Sequence, residues 1–282
     1  MWSIAVTAAP FVADVHLPLS GAGAAVALHA NDFLTSRLLD NAIDFHTKHT
    51  PHITLYLTEW QCSVPPCAQH LDDTLTPTLH DLSWQELCTV KIGSPYAAGS
   101  FAMLNVTISS CLQLYSDSIV NATYSMAQPN QSVPAWVHSL PEPERSEKIH
   151  DVRMYGSPNV FGQFEPHVTI GWSSNTTALA EAVAALAVSP ASFIGSVVAL
   201  GTTGEHGTVL KDKDLAIFDL SLGPGDPCTM THADQKSCDA DRVTFGGCVW
   251  CDIVDRPPFC STSLNARTLP HDPPHRCDSR AR

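Results

Sequence analysis

The feature that most narrows the fold is a phrase written twice: residues 51–55 read PHITL and residues 166–170 read PHVTI. A histidine two places before a threonine should arise about once by chance in a chain this rich in both, and short patterns mislead often. Here proline, histidine, a β-branched residue, threonine and an aliphatic all recur in register, which chance seldom supplies twice. Each copy opens a run that reads as a strand, HITLYLTEW and HVTIGW, because polar and apolar positions alternate. On a strand, alternate side chains share a face, so His52 and Thr54 point the same way, about 7 Å apart, while Ile53 and Leu55 turn into a core. The same holds for His167 and Thr169, with Val168 and Ile170 behind them.

The segments around the two copies repeat one vocabulary. FVADVHLPL reads as a strand, and Gly21 to Gly23 turn the chain into a helical pattern over residues 24–48. Between Gln61 and Cys88 the text is irregular, with Pro65, Pro66 and Pro77 cutting a helical pattern short. TVKI and FAMLNVTI read as strands, residues 110–126 as a helix with Leu112, Leu114, Ile119 and Val120 on its core face, and residues 143–153 as a shorter helix. After the second copy, TTALAEAVAALA is a helix with Ser174 or Asn175 as its cap, and residues 191–222 read as two strands joined by a Gly-rich hairpin. At GPGDPC regular periodicity stops. The expected division is a main domain over 1–222 and a cysteine-rich module with its tail over 223–282, the end beyond Cys260 being poorly ordered.

Two facing imidazoles make an acid-base kit, because one can be neutral and accept a proton while the other is charged and donates one. Threonine hydroxyls can hydrogen-bond the oxygens of a phosphate held between them. Tyr56 and Gly171 continue the two polar faces in this reading, Tyr56 as a substrate contact and Gly171 as a space. Ser157 and Asn159, in the turn-rich YGSPNVF, are rim candidates. A third histidine of this kind, His206-Gly207-Thr208, lies in the hairpin with glycine between and no preceding proline, and reads as a turn residue.

On these residues the chain resembles the 2H phosphoesterases, which include LigT-like RNA 2',3'-cyclic phosphodiesterases, over roughly residues 11–222. The resemblance implies an α+β, bilobal fold: two antiparallel sheets with flanking helices related by pseudo-two-fold symmetry, each giving one HxTx strand to a shared cleft. It implies His52 and His167 as the general acid-base pair, Thr54 and Thr169 as the phosphate holders, no metal and no cofactor. The reaction implied is hydrolysis of a 2',3'-cyclic nucleotide, an RNA-end cyclic phosphate or a related small phosphodiester. Which histidine is acid and which base stays open. The alternative is a non-catalytic nucleotide- or phosphate-binding secreted protein that keeps the cleft.

Charge and cysteine usage bound the setting. A formal net charge of -13 argues against long duplex nucleic acid, whose binding draws on many Lys and Arg displacing counterions; a small phosphodiester, a nucleotide or a short RNA end remains compatible. The 10 cysteines fall into two even groups, Cys62, Cys67, Cys88 and Cys111, then Cys228, Cys238, Cys248, Cys251, Cys260 and Cys277, which suits disulfides in an oxidising compartment. Pairing Cys62 with Cys67 and Cys88 with Cys111 is one of the three connectivities open to the first group. Acceptors for N-glycosylation stand at Asn105, Asn121, Asn130 and Asn175, where chance would give roughly one by the motif's own false-positive rate. The expected location is therefore secreted or an endomembrane lumen, although MWSIAVTAAPFVADVHLPLS has no basic n-region and makes a poor signal peptide. No run of about 20 apolar residues suggests a membrane span.

The segment GGCVWC at 246–251 resembles plexin-type PSI modules, small disulfide frameworks of extracellular proteins, and the module is a candidate for binding a protein partner. CxxC with further Cys and His nearby also suits zinc. A second CxxC at ligand spacing is lacking, so disulfides are the favoured reading.

Overall fold

Both histidine strands occupy the same position, the edge of a four-stranded antiparallel sheet. The computed structural model describes residues 11–61, 66–83, 87–220, 235–240, 248–253, 259–262 and 275–277, and the chain divides into two units, Met1–Ser221 and Leu222–Arg282. In the first unit, one sheet runs β2 (His52–Trp60), β1 (Phe11–Pro18), β7 (Val197–Thr203), β8 (Val209–Asp219). The other runs β5 (His167–Trp172), β4 (Phe101–Val106), β3 (Cys88–Ala98), β6 (Ala191–Gly195). All neighbours are antiparallel. The two edge strands β2 and β5 lie beside each other.

Each sheet is backed in part by a helix that begins after a strand of the other sheet. Helix α1 (Gly21–Thr35), between β1 and β2 in sequence, packs on β5 and β6, together with α5 (Thr176–Ala185), which packs on β3 and β4. Helix α3 (Ser110–Thr123), between β4 and β5, packs on β2 and on α2 (Pro66–Ser83). Alternation on the strands supplies one continuous core: Ala13, Val15 and Leu17 of β1, Ile53 and Leu55 of β2, Ala102 and Leu104 of β4, and Val168 and Ile170 of β5 are all buried in it. The Cys88–Cys111 disulfide joins β3 to the first turn of α3.

Three boundaries differ from the sequence expectation. The helix expected over 24–48 stops at Thr35, because the backbone beyond it is bonded by side chains instead: Asn31 holds the carbonyl of Ile43 and the amide of Phe45, and Asp44 accepts from the amides of His46 and Thr47. Such local side-chain bonds compete with a helix. The stretch cut by prolines is instead an 18-residue helix, α2, with Pro77 inside it. Leu71, Leu75 and Leu79 are buried along it, and about 1.5–3 kcal/mol for each outweighs the roughly 3 kcal/mol of an interior proline. The single strand expected near 191–203 breaks at Ser196 into β6 and β7, which belong to different sheets.

In the second unit β9 (Cys248–Ile253) lies between β10 (Phe259–Thr262) and β11 (His275–Cys277), antiparallel to both. A disulfide joins Cys238, in α6 (Gln235–Ala240), to Cys260 of β10, and Trp250 packs against it. Cys67 and Cys251 are also disulfide-bonded, so the thiolates that zinc would need are not available at Cys238, Cys251 and Cys260. Cys62 and Cys228 lie outside the described residues, as do the side chains of Cys248 and Cys277. The tail expected to be poorly ordered contributes β11. Among the described residues no helix is long and apolar enough to cross a membrane.

Candidate active site

The two phrases end in the same irregularity. In the β1–β2 ladder His16 faces Thr54 and Val15 faces Tyr56, so Leu55 is an extra residue. In the β4–β5 ladder Met103 faces Thr169 and Ala102 faces Gly171, so Ile170 is extra. A bulge of this kind sends two successive residues to one side and reverses the alternation beyond it. The carbonyl of each extra residue is caught by a buried side chain of the helix beneath: Ser116 Oγ of α3 donates to Leu55 at 2.8 Å, and Asn31 Nδ2 of α1 to Ile170 at 2.9 Å.

The bulges correct two sequence expectations. Tyr56 does not continue the polar face. It is fully buried beside Trp60 and its hydroxyl donates to the Tyr155 carbonyl, so it cannot touch a substrate as placed; burial raises its phenol well above the usual range. Gly171 likewise turns inward. A Cβ there would come within 2.7 Å of Leu34 Cδ1, so the missing side chain makes room for α1 rather than for a ligand. Leu57 and Trp172 take the outward positions instead. The hairpin between β7 and β8 covers both: the His206 ring stacks on Trp172 at 4.1 Å, and Gly207 lies against Leu57. His206 has φ 63°, in keeping with a turn residue.

His52, Thr54, His167 and Thr169 are brought to the adjoining edges. Both rings are fixed by one device, Nδ1 donating to the carbonyl two residues back: His52 to Thr50 at 2.7 Å and His167 to Glu165 at 2.9 Å. A carbonyl only accepts, so each Nδ1 carries a proton and each Nε2 is left for chemistry. Desolvation, opposed by the bond to Glu165 and aided by the charge of His52, lowers the pKa of His167 from the usual 6.5, which favours its neutral form. That influence of His52 also places the two rings within electrostatic reach. The hydroxyl of Thr169 and Nε2 of His167 make no hydrogen bond among the described residues.

The first half contains groups that motif reading missed. Asp14, fully buried on β1, accepts from Thr54 Oγ1 at 2.6 Å through Oδ2, and the same oxygen lies 3.3 Å from His52 Nε2. His16 stands edge-on to His52, ring centres 5.3 Å apart, with Nδ1 on the Asp14 carbonyl and Nε2 3.6 Å from Asp214 Oδ1. Burial, then repulsion by His52, lowers the His16 pKa to about 4 against the pull of Asp14, and burial raises that of Asp214. Gly201 leaves the room, since a Cβ there would meet His16 Cε1 at 2.7 Å and Asp214 Oδ1 at 2.8 Å. The signal was present in FVADVHLPL: Asp14 and His16 share one face of an otherwise apolar strand.

The second half is held by a different charge. Lys148 of α4 (Glu144–Tyr155) is fully buried and its ammonium donates to Asn159 Oδ1 at 3.0 Å and to the carbonyls of Pro158 and Gln163. It thereby pins the loop that leads into His167. Asn159 is thus occupied and Ser157 is buried, so neither forms a rim. Asn105 is exposed directly across the ladder from His167; Asn121, Asn130 and Asn175 are exposed too, the last capping α5 through its Oδ1.

No family model matches the chain, and no curated protein matches it. Among solved structures, one described as "Crystal structure of phosphoesterase" is similar with a TM-score of 0.40 and 11% identity, covering 76% of this chain and 99% of that one.

Proposed function

We propose that this protein is a phosphodiesterase that needs no metal and hydrolyses a 2',3'-cyclic nucleotide, an RNA-end cyclic phosphate or a related small phosphodiester. The observation that carries the reading is the pairing of two bulged edge strands, each presenting an imidazole whose Nδ1 is tied to the carbonyl two residues back. Two rings so fixed can serve one phosphorus atom from opposite sides: one takes the proton of an attacking water, the other gives a proton to the departing ribose oxygen. Thr169, with its hydroxyl unengaged, is the natural phosphate donor.

Disulfides at Cys88–Cys111 and Cys238–Cys260 suit an oxidising environment. With the exposed acceptors at Asn105, Asn121, Asn130 and Asn175 they support a secreted or luminal glycoprotein, and the net charge of -13 favours small substrates over duplexes. The second unit, in this reading, is a PSI-like module for a protein partner.

The test is turnover of 2',3'-cyclic nucleotides by the purified protein and by His52→Ala and His167→Ala. Loss in both variants supports the reading, and unchanged turnover in either ends it. One observation favours the non-catalytic alternative: Asp14 takes the bonds from Thr54 and His52 that a phosphate oxygen would take. Nucleotide binding by calorimetry without turnover in the unaltered protein would establish that alternative.

A further inference from the structure

We infer that Asp14 is a positioning residue that keeps a proton on His52, making His52 the acid and His167 the base; this rests on the phosphodiesterase reading. His52 Nδ1 donates to the Thr50 carbonyl, so that nitrogen is protonated. Nε2 faces Asp14 Oδ2 at 3.3 Å, and two groups that both accept would repel there. A proton therefore lies between them, either on the ring, giving an imidazolium beside a carboxylate, or on the carboxyl. In both forms the pair holds one transferable proton. His167 has the complementary arrangement, with Nδ1 on the Glu165 carbonyl and Nε2 holding a free lone pair.

The groups facing His52 from the surrounding elements are Asp14 and His16 on β1, His49 in the preceding loop, His167 on β5 and Asp214 on β8. His16 sits with its pKa lowered to about 4, and His49 accepts the Asp44 amide at Nδ1, so both are neutral near pH 7. Asp14 is the acid in contact. In the reaction, His167 Nε2 takes a proton from water as its oxygen bonds phosphorus. The bond from phosphorus to the ribose oxygen breaks, and the proton of the Asp14–His52 pair goes to that oxygen. Solvent then removes one proton and returns the other.

The arrangement also makes the threonines unequal. Thr54 gives its hydroxyl proton to Asp14 and so tunes the pair, whereas Thr169 is free to bond phosphate.

The test is the pH profile of kcat and KM for Asp14→Asn, with ring-nitrogen NMR titration of His52 in the same proteins. Expected are a fall in kcat of about 10- to 100-fold, KM within about 2-fold, the high-pH limb moved to lower pH and His52 losing its proton earlier, with a smaller downward move of the His167 titration, on which Asp14 acts more weakly than desolvation does. An unmoved His52 titration, or a change in KM alone, overturns the inference. Should Asp14→Asn not fold, Thr54→Val decides: freeing Asp14 from Thr54 should strengthen its hold on His52 and move that titration upward. A raised KM with an unmoved titration overturns it. Failure to turn over any cyclic phosphate would strike the phosphodiesterase reading alone, since the His52 titrations read Asp14 without substrate.

Discussion

The half built on β1 and β2 and the half built on β4 and β5 carry one phrase, one bulge and one way of fixing the ring, yet they set opposite charges behind it. Beside His52 is a buried carboxylate that touches the ring and its threonine. Behind His167 is a buried ammonium that touches neither and instead holds the approaching loop. Repetition of backbone thus places two equivalent imidazoles, and in the reading above the unrepeated carboxylate of Asp14 decides which of them keeps a proton.

The comparison breaks most visibly at the rings themselves. His52→Ala and His167→Ala should each lower turnover on the order of 10²- to 10⁴-fold in a cyclic-nucleotide assay; a large loss in one alone would end the two-histidine reading. Next comes the staple in the second half. Replacing Cys88 and Cys111 by Ser opens a link with sequence separation 23 and should reduce stability by about 3 kcal/mol, measured by urea unfolding.

The clamps on the two bulges allow a finer comparison. Asn31 serves the carbonyls of Ile43 and Ile170 and the amide of Phe45, whereas Ser116 serves Leu55 alone. Asn31→Ala should therefore cost about 2–3 kcal/mol and Ser116→Ala about 1; equal losses would show that the bulges depend on their ladders rather than their clamps. The halves also differ in their response to acid. Burial lowers the His16 pKa from the usual 6.5 to about 4, so its neutral form is favoured by folding. That contribution is complete above the unfolded value and is lost as pH falls from about 6.5 toward 4. The urea midpoint should fall over that range, and less in His16→Gln. Activity should respond in step with His167: its lowered pKa keeps the base neutral, so the acid limb of the rate profile should lie below 6.5.

The duplicated strands, most helices and the Asn175 cap were legible because each depends on local periodicity or on a single capping side chain. The bulges were not, since an extra residue is defined by the partner strand; the face of Tyr56 and Gly171 was misread for that reason alone. Asp14, Asp214 and Lys148 escaped for a related cause. Their importance comes from burial beside residues of other elements, His52, His16 and Asn159 among them, and only Asp14 left a local trace, two places before His16 on an otherwise apolar strand. Pro77 misled in the opposite sense, a local breaker overridden by a stripe of leucines.

The break at Ser196 has a consequence for synthesis and for engineering. Because β6 closes the edge of one sheet and β7 then enters the other, the last stretch of the first unit completes both halves in succession. The sheet that ends in β6 is therefore finished first and the other only after β7 and β8 follow, and a chain cut ahead of Ala191 would release two incomplete sheets rather than one intact lobe. The doubling is a property of the assembled form, and it cannot be separated into two working pieces.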